Sequence, residues 1–192
     1  MHIKNWLIAA LFLVSPALYA HTGGHIGHSL FSGMLHPLTG IDHLLVLLAV
    51  GLVAAKQGGK ALFMFPAIFF GLMAAGALLS AVAVQIPFVE FFIALSLLAF
   101  GLLVIAKDGL RASAHPIMLF LGVSFFAVFH GYAHAAEIPA DSNAIWYFSS
   151  LMLVSLVICL GGCIIGLNTG KRMNYLFSLI CLSSGLYYLT AG

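Results

Sequence analysis

Charge is what this 192-residue chain has least of: seven Lys and Arg and five Asp and Glu, 6% of the sequence. Soluble domains carry about 25% charged residues, so a water-facing surface of ordinary kind cannot be built here. The same scarcity excludes a phosphate-binding face, and with it nucleic acid as a partner. Cysteine is sparse as well: Cys159, Cys163 and Cys181 all lie in apolar stretches of the C-terminal third. An odd number inside hydrocarbon is no disulfide framework, and small, inert, buried thiols are the plain reading. Signatures of catalysis are missing too. There is no H-E-x-x-H and no G-x-S-x-G, and no Walker A, because Ala54 and Ile165 stand where Gly59-Lys60 and Gly170-Lys171 would need a preceding glycine. The chain is not read as an enzyme, and transport would have to run on a gradient or on a separate energising partner.

What remains is apolar. Hydrophobic residues make up 63% of the chain and the mean hydropathy is +1.16, the mark of a polytopic protein whose partner is the lipid bilayer. Against that background nine histidines outnumber both the basic and the acidic residues. Ionisable groups are costly in hydrocarbon and are functional by default, so the histidines pose the functional question.

Residues 1–20 read as a secretory signal peptide: Lys4 is the positive start, Trp6 to Val14 the apolar stretch, and Ser15 to Ala20 a small-residue exit. Cleavage after Ala20 would make His21 the mature N-terminus. Leu18 is a poorer residue than Ala three places before that point, so an uncleaved anchor is the alternative. Either way, the segment from His21 faces the extracytoplasmic side.

A membrane helix needs about 20 mainly apolar residues. Six segments of the single domain 21–192 qualify: 30–55, 61–84, 88–106, 114–135, 144–167 and 172–190. The expected fold is therefore all-α, with six transmembrane helices after the signal peptide. Lys56, Lys60, Lys107, Arg111, Lys171 and Arg172 fall in the first, third and fifth connections, while the second and fourth hold no Lys or Arg. The positive-inside rule places the basic loops in the cytoplasm of a bacterial inner membrane and both mature termini in the periplasm. Helices one to three and four to six would form two halves of opposite insertion, the inverted-repeat pattern of many secondary transporters.

Two of the six segments carry ionisable clusters. The first is His36-Pro37-Leu38-Thr39-Gly40-Ile41-Asp42-His43. His36 and His43 lie two turns apart on one face of an unbroken helix, and Asp42 is placed to orient an imidazole or to reach a neighbouring helix. Pro37 and Gly40 predict a kinked or partly unwound helix, with carbonyls freed to line a polar site. A buried Asp–His pair tying two helices together is the structural alternative. The second cluster, Phe129 to Glu137, sets His130, His134 and Glu137 at i, i+4 and i+7, within an arc of about 60°. Two imidazoles and a carboxylate suit a borderline divalent metal, although the H-x-x-x-H spacing alone also fits a solvated helix end. With the proposed orientation both clusters lie in the extracytoplasmic half.

The tract His21-Thr22-Gly23-Gly24-His25-Ile26-Gly27-His28 reads as a flexible outer arm, a metal-capture segment or a plain polar tail. Cys159 and Cys163, at i and i+4 among Gly161, Gly162 and Gly166, read as tight helix packing before soft ligands. His115 reads as an interfacial residue, and Glu90 as a charge at a helix start or a carboxylate at the outer mouth.

The chain resembles the HupE/UreJ family of nickel permeases and urease or hydrogenase accessory proteins. The resemblance rests on H-x5-D-H, here His36 to His43, on F-H-G-x-[AV]-H-G-x-E, matched by Phe129 to Glu137, and on Gly51 and the His-rich start. It spans the whole chain, with Ala135 standing where the pattern commonly has Gly. The resemblance implies a metal site of His36, Asp42, His43, His130, His134 and Glu137, and Ni²⁺ as cargo rather than a permanent cofactor. Nitrogen and oxygen ligands would also accept Co²⁺ or Zn²⁺. The expected function is a secondary nickel permease from periplasm to cytoplasm, supplying a hydrogenase or urease. The alternatives are a permease for Co²⁺ or another divalent metal, an accessory subunit that binds metal without moving it, and a haem b electron carrier with paired axial histidines.

Overall fold

The computed structural model describes residues 25–105 and 116–191. The signal segment 1–20, His21, Lys107, Arg111 and His115 lie outside the described residues. Seven helices and no strand make up the described chain: α1 (His25–Thr39), α2 (Ile41–Gln57), α3 (Ala61–Ala81), α4 (Val89–Ile105), α5 (Pro116–Ala136), α6 (Ala144–Asn168) and α7 (Lys171–Ala191). Breaker residues end them where local chemistry requires. Gly58 and Gly59 turn the chain after α2 with φ of 67° and 54°, a region that costs glycine nothing. Asn143 caps α6, its side chain accepting from the amides of Ile145 and Trp146.

The first expected span, 30–55, is two helices rather than one. Gly40 leaves the helical region (φ −78°, ψ 102°), and α1 and α2 meet there at 75°. Pro37 has no amide hydrogen to continue the ladder just before this break, and Thr39 folds its hydroxyl back onto the carbonyls of Leu35 and His36. The His-rich tract is not wholly a flexible arm either: from His25 onward it is the first turn of α1. Three helices, α3, α5 and α6, are each long and apolar enough to cross a membrane, and the bent α1–α2 pair passes the same test as one broken span. α4 is a shorter apolar helix. In α7 three serines, three tyrosines and Asn174 dilute the apolar run.

Large apolar side chains cover the outside of the bundle. Phe63, Leu78, Phe88 and Ile145 are all more than two-thirds exposed, a surface that fits acyl chains rather than water. Inside, Leu47, Val50, Phe69, Met73, Leu97, Phe100, Ala127 and Leu151 form the packed centre.

The most extensive contacts pair α3 with α5, α6 with both α1 and α2, and α4 with α7. Exchanging the three-helix halves turns the first pairing into the second and leaves the third as it is. Glycine makes the close approaches: a Cβ on Gly131 would overlap the backbone of Met73 in α3, and one on Gly51 would overlap the backbone of Cys159 in α6. This packing aligns the ends. Ala55 of α2 lies beside Gly166 of α6, and the Lys56 ammonium donates to the Val104 carbonyl at the end of α4. Lys56, Lys60, Lys171 and Arg172 therefore sit at one end of the molecule. The 137–143 connection and α1 lie at the other, joined where the Asn143 amide donates to the Ser29 hydroxyl at 2.7 Å.

Candidate metal site

The break at Gly40 does the first part of the assembly. It brings His36, in the last turn of α1, to the start of α2, where Asp42 and His43 stand, and the His36 and His43 rings come within 5.8 Å. α5 supplies the rest through its last turn. The His134 ring lies 4.2 Å from that of His43 and 5.0 Å from that of His36. One step past the helix, the Glu137 carboxylate sits 3.0 Å from His36 Nε2 and 4.0 Å from His43 Nε2. The close pairing of α5 with α3, with Gly131 between the two histidines, sets the position of that turn.

One ligand atom from each of His36, His43, His134 and Glu137 lies within 4.8 Å of all the others. Metal–ligand bonds of about 2.1 Å place tetrahedral ligands about 3.4 Å apart and opposed octahedral ones about 4.2 Å apart. A contraction on the order of 1 Å would thus close the set on an ion. His43 and His134 are buried, His36 is partly so, and Glu137 forms the exposed rim at 43%. Hydrogen bonding from His36 holds the Glu137 carboxyl below the usual carboxylate range, against the opposing effect of its partial burial. Both nitrogens of His134 and Nδ1 of His43 are buried without a partner. Leaving a buried polar atom unpaired costs about 1–3 kcal/mol, so three in one cluster mark a place prepared for something they can bind.

Two of the six expected ligands stand beside this group rather than in it. Asp42 approaches His43 Nε2 at 3.8 Å, in position to orient the ring and supply negative charge. His130 lies one turn deeper along α5, its ring 5.2 Å from that of His43. Of the outer histidines, His28 pairs instead with Asp141 at 3.5 Å, and His25 opens α1. Sequence reasoning missed Tyr147, which is 1% exposed and packs edge-on to the His36 ring at 5.9 Å. It also missed Phe69, whose ring lies 5.8 Å from His130. Both are ordinary apolar-run residues, and only the lateral pairing of helices reveals them.

Fold and cluster together define a helical membrane protein with histidines and carboxylates gathered at a broken helix. The chain belongs to the HupE / UreJ protein family, whose model matches residues 8–189. A relative, Protein HupE of Rhizobium leguminosarum bv. viciae, is 36% identical over 165 residues, covering 85% of this chain and 83% of that one. No solved structure matches the chain.

Proposed function

We propose that this protein is a secondary permease that carries Ni²⁺ from the periplasm to the cytoplasm and so supplies a nickel enzyme, a hydrogenase or urease. The observation that carries the reading is the convergence of His36, His43, His134 and Glu137 from the broken α1–α2 pair and the end of α5, which are far apart in sequence. Three imidazoles and a carboxylate are borderline ligands that accept Ni²⁺, Co²⁺ or Zn²⁺, and membership of the family favours nickel. Six spans in two inverted halves, after a cleaved signal peptide, fit the exchange-symmetric helix pairing. The basic end then faces the cytoplasm of a bacterial inner membrane, and Glu137 opens the site to the periplasm. His28, with His21 and His25 before it, would raise the local metal concentration at that mouth. Site affinity has to be moderate, because an ion held too tightly cannot leave.

A haem between paired axial histidines is not favoured. Ring separations of 4.2 to 5.8 Å among His36, His43 and His134 leave no slot for a macrocycle. The test is uptake of radioactive nickel by cells expressing the wild type, His36→Ala or Asp42→Asn at matched protein level. Wild-type cells should accumulate nickel and both variants should lose most of it. Unchanged uptake in both variants would sink the assignment.

A further inference from the structure

His130 is the one histidine of the two motifs whose ligand atom stays outside the four-residue cluster. It is fully buried, and its ring lies 6.3 Å from that of His134. Its Nδ1 lies 3.3 Å from the Phe126 carbonyl, and a carbonyl can only accept, so Nδ1 carries the hydrogen. That fixes the ring and leaves the lone pair on Nε2. Nε2 is buried and has no partner. A donor bond on one ring nitrogen that frees the other is the usual preparation of a metal-binding imidazole.

The surroundings give this nitrogen a direction. Glu137 marks the open end of the cluster, and His130 lies a helical turn from His134 toward the closed end. Beyond it stand the rings of Phe69 at 5.8 Å and, further along, Phe126 packed on Phe100. His43 touches both sets: its ring is 4.2 Å from His134 and 5.2 Å from His130, and its Nδ1 has no partner either.

We propose that His43 and His130 form a second, inner ion position that receives the divalent cation from the outer four-residue cluster, with His43 shared between the two. The proposal rests on the permease reading and describes its next step. In passing inward the cation gives up His36, His134 and the Glu137 carboxylate, keeps His43 and gains His130, while Asp42 stays beside His43 as the nearby negative charge. Two imidazoles hold a dication more weakly than three imidazoles and a carboxylate, because both the number of ligands and the anionic charge fall. A descending series of affinities lets the ion move on rather than remain trapped.

The experiment uses the purified full-length protein and NiCl2, with equilibrium binding by calorimetry and flux into proteoliposomes measured on the same preparations. His130→Ala should keep the outer ion with a Kd within about 3-fold of wild type, yet lower flux by about 10-fold or more, whereas His134→Ala should lose both. His130→Gln, whose amide can still donate to Phe126, should repeat the split and guards against a packing defect, which a thermal melt would reveal. Loss of binding by His130→Ala equal to that of His134→Ala would make His130 an ordinary ligand of one site and overturn the proposal. Full flux in His130→Ala alongside an active wild type would overturn the inner position and leave the permease reading standing. A wild type that binds nickel and shows no flux would overturn both.

Discussion

His36 and His43 would lie about 10 Å apart along an unbroken helix, yet their rings are 5.8 Å apart. The difference is the work of Gly40, which leaves the helical region between them, after Pro37 has already removed one ladder hydrogen bond in the last turns of α1. The same scale separates the two carboxylates. Glu137 lies within ligand reach of the three imidazoles, while Asp42 addresses one of them from the side. Glu137→Gln keeps the size of the side chain and removes its charge. It should weaken nickel binding by well over 10-fold, since it takes away an anionic ligand. Asp42→Asn acts through the orientation of His43 and should weaken binding by about 10- to 100-fold, less than His134→Ala. Calorimetric titration with NiCl2 ranks the three variants, and an unaltered Kd in Glu137→Gln would remove Glu137 from the ligand set. All six motif residues were legible in the sequence as chemistry. Their division into a converged cluster of four and two flanking groups was not, because it depends on how far α5 comes to rest from the α1–α2 break.

Between elements, close packing of backbones replaces the hydrophobic drive that lipid cannot supply. Gly131 lies between the two α5 histidines and faces the backbone of Met73, so this one residue positions the turn that bears His134. On the same helix Gly122 has open space where a Cβ would be. Gly131→Leu should therefore cost about 1–3 kcal/mol or more through overpacking and should lower the melting temperature in detergent. Gly122→Ala should be neutral or stabilising by up to about 1 kcal/mol through helix propensity. If the two variants melt alike, the α3–α5 contact does not set the stability of the bundle. Element existence was readable from apolar runs and breakers, and the bend at Gly40 was expected from Pro37 and Gly40. Two features escaped that reading. The turn of helix at His25 to His28 is held by packing on α6, with Ser29 receiving the Asn143 amide, and the limited apolar length of α4 and α7 is blurred in a sequence that is hydrophobic almost everywhere.

For the molecule as a whole, the helix pairing sorts charge to opposite ends. Lys56 and Lys60 share one end with Lys171 and Arg172, brought together by the parallel run of α2 and α6, and the Glu137 rim of the cluster belongs to the other. Which side loads the cluster follows from which end faces the periplasm, and the chain offers a clean way to ask. Its three cysteines are buried, at 0%, 6% and 0% exposure, so a membrane-impermeant maleimide should leave the wild type unlabelled in intact spheroplasts. Ala140 in the 137–143 connection and Asn168 at the end of α6 are both exposed, and neither belongs to the ligand cluster. Ala140→Cys should be labelled in intact spheroplasts, and Asn168→Cys only after the membrane is opened. The reverse pattern would place the basic end outside, against the positive-inside rule. The site mouth would then face the cytoplasm, and the same cluster would collect metal for export rather than uptake.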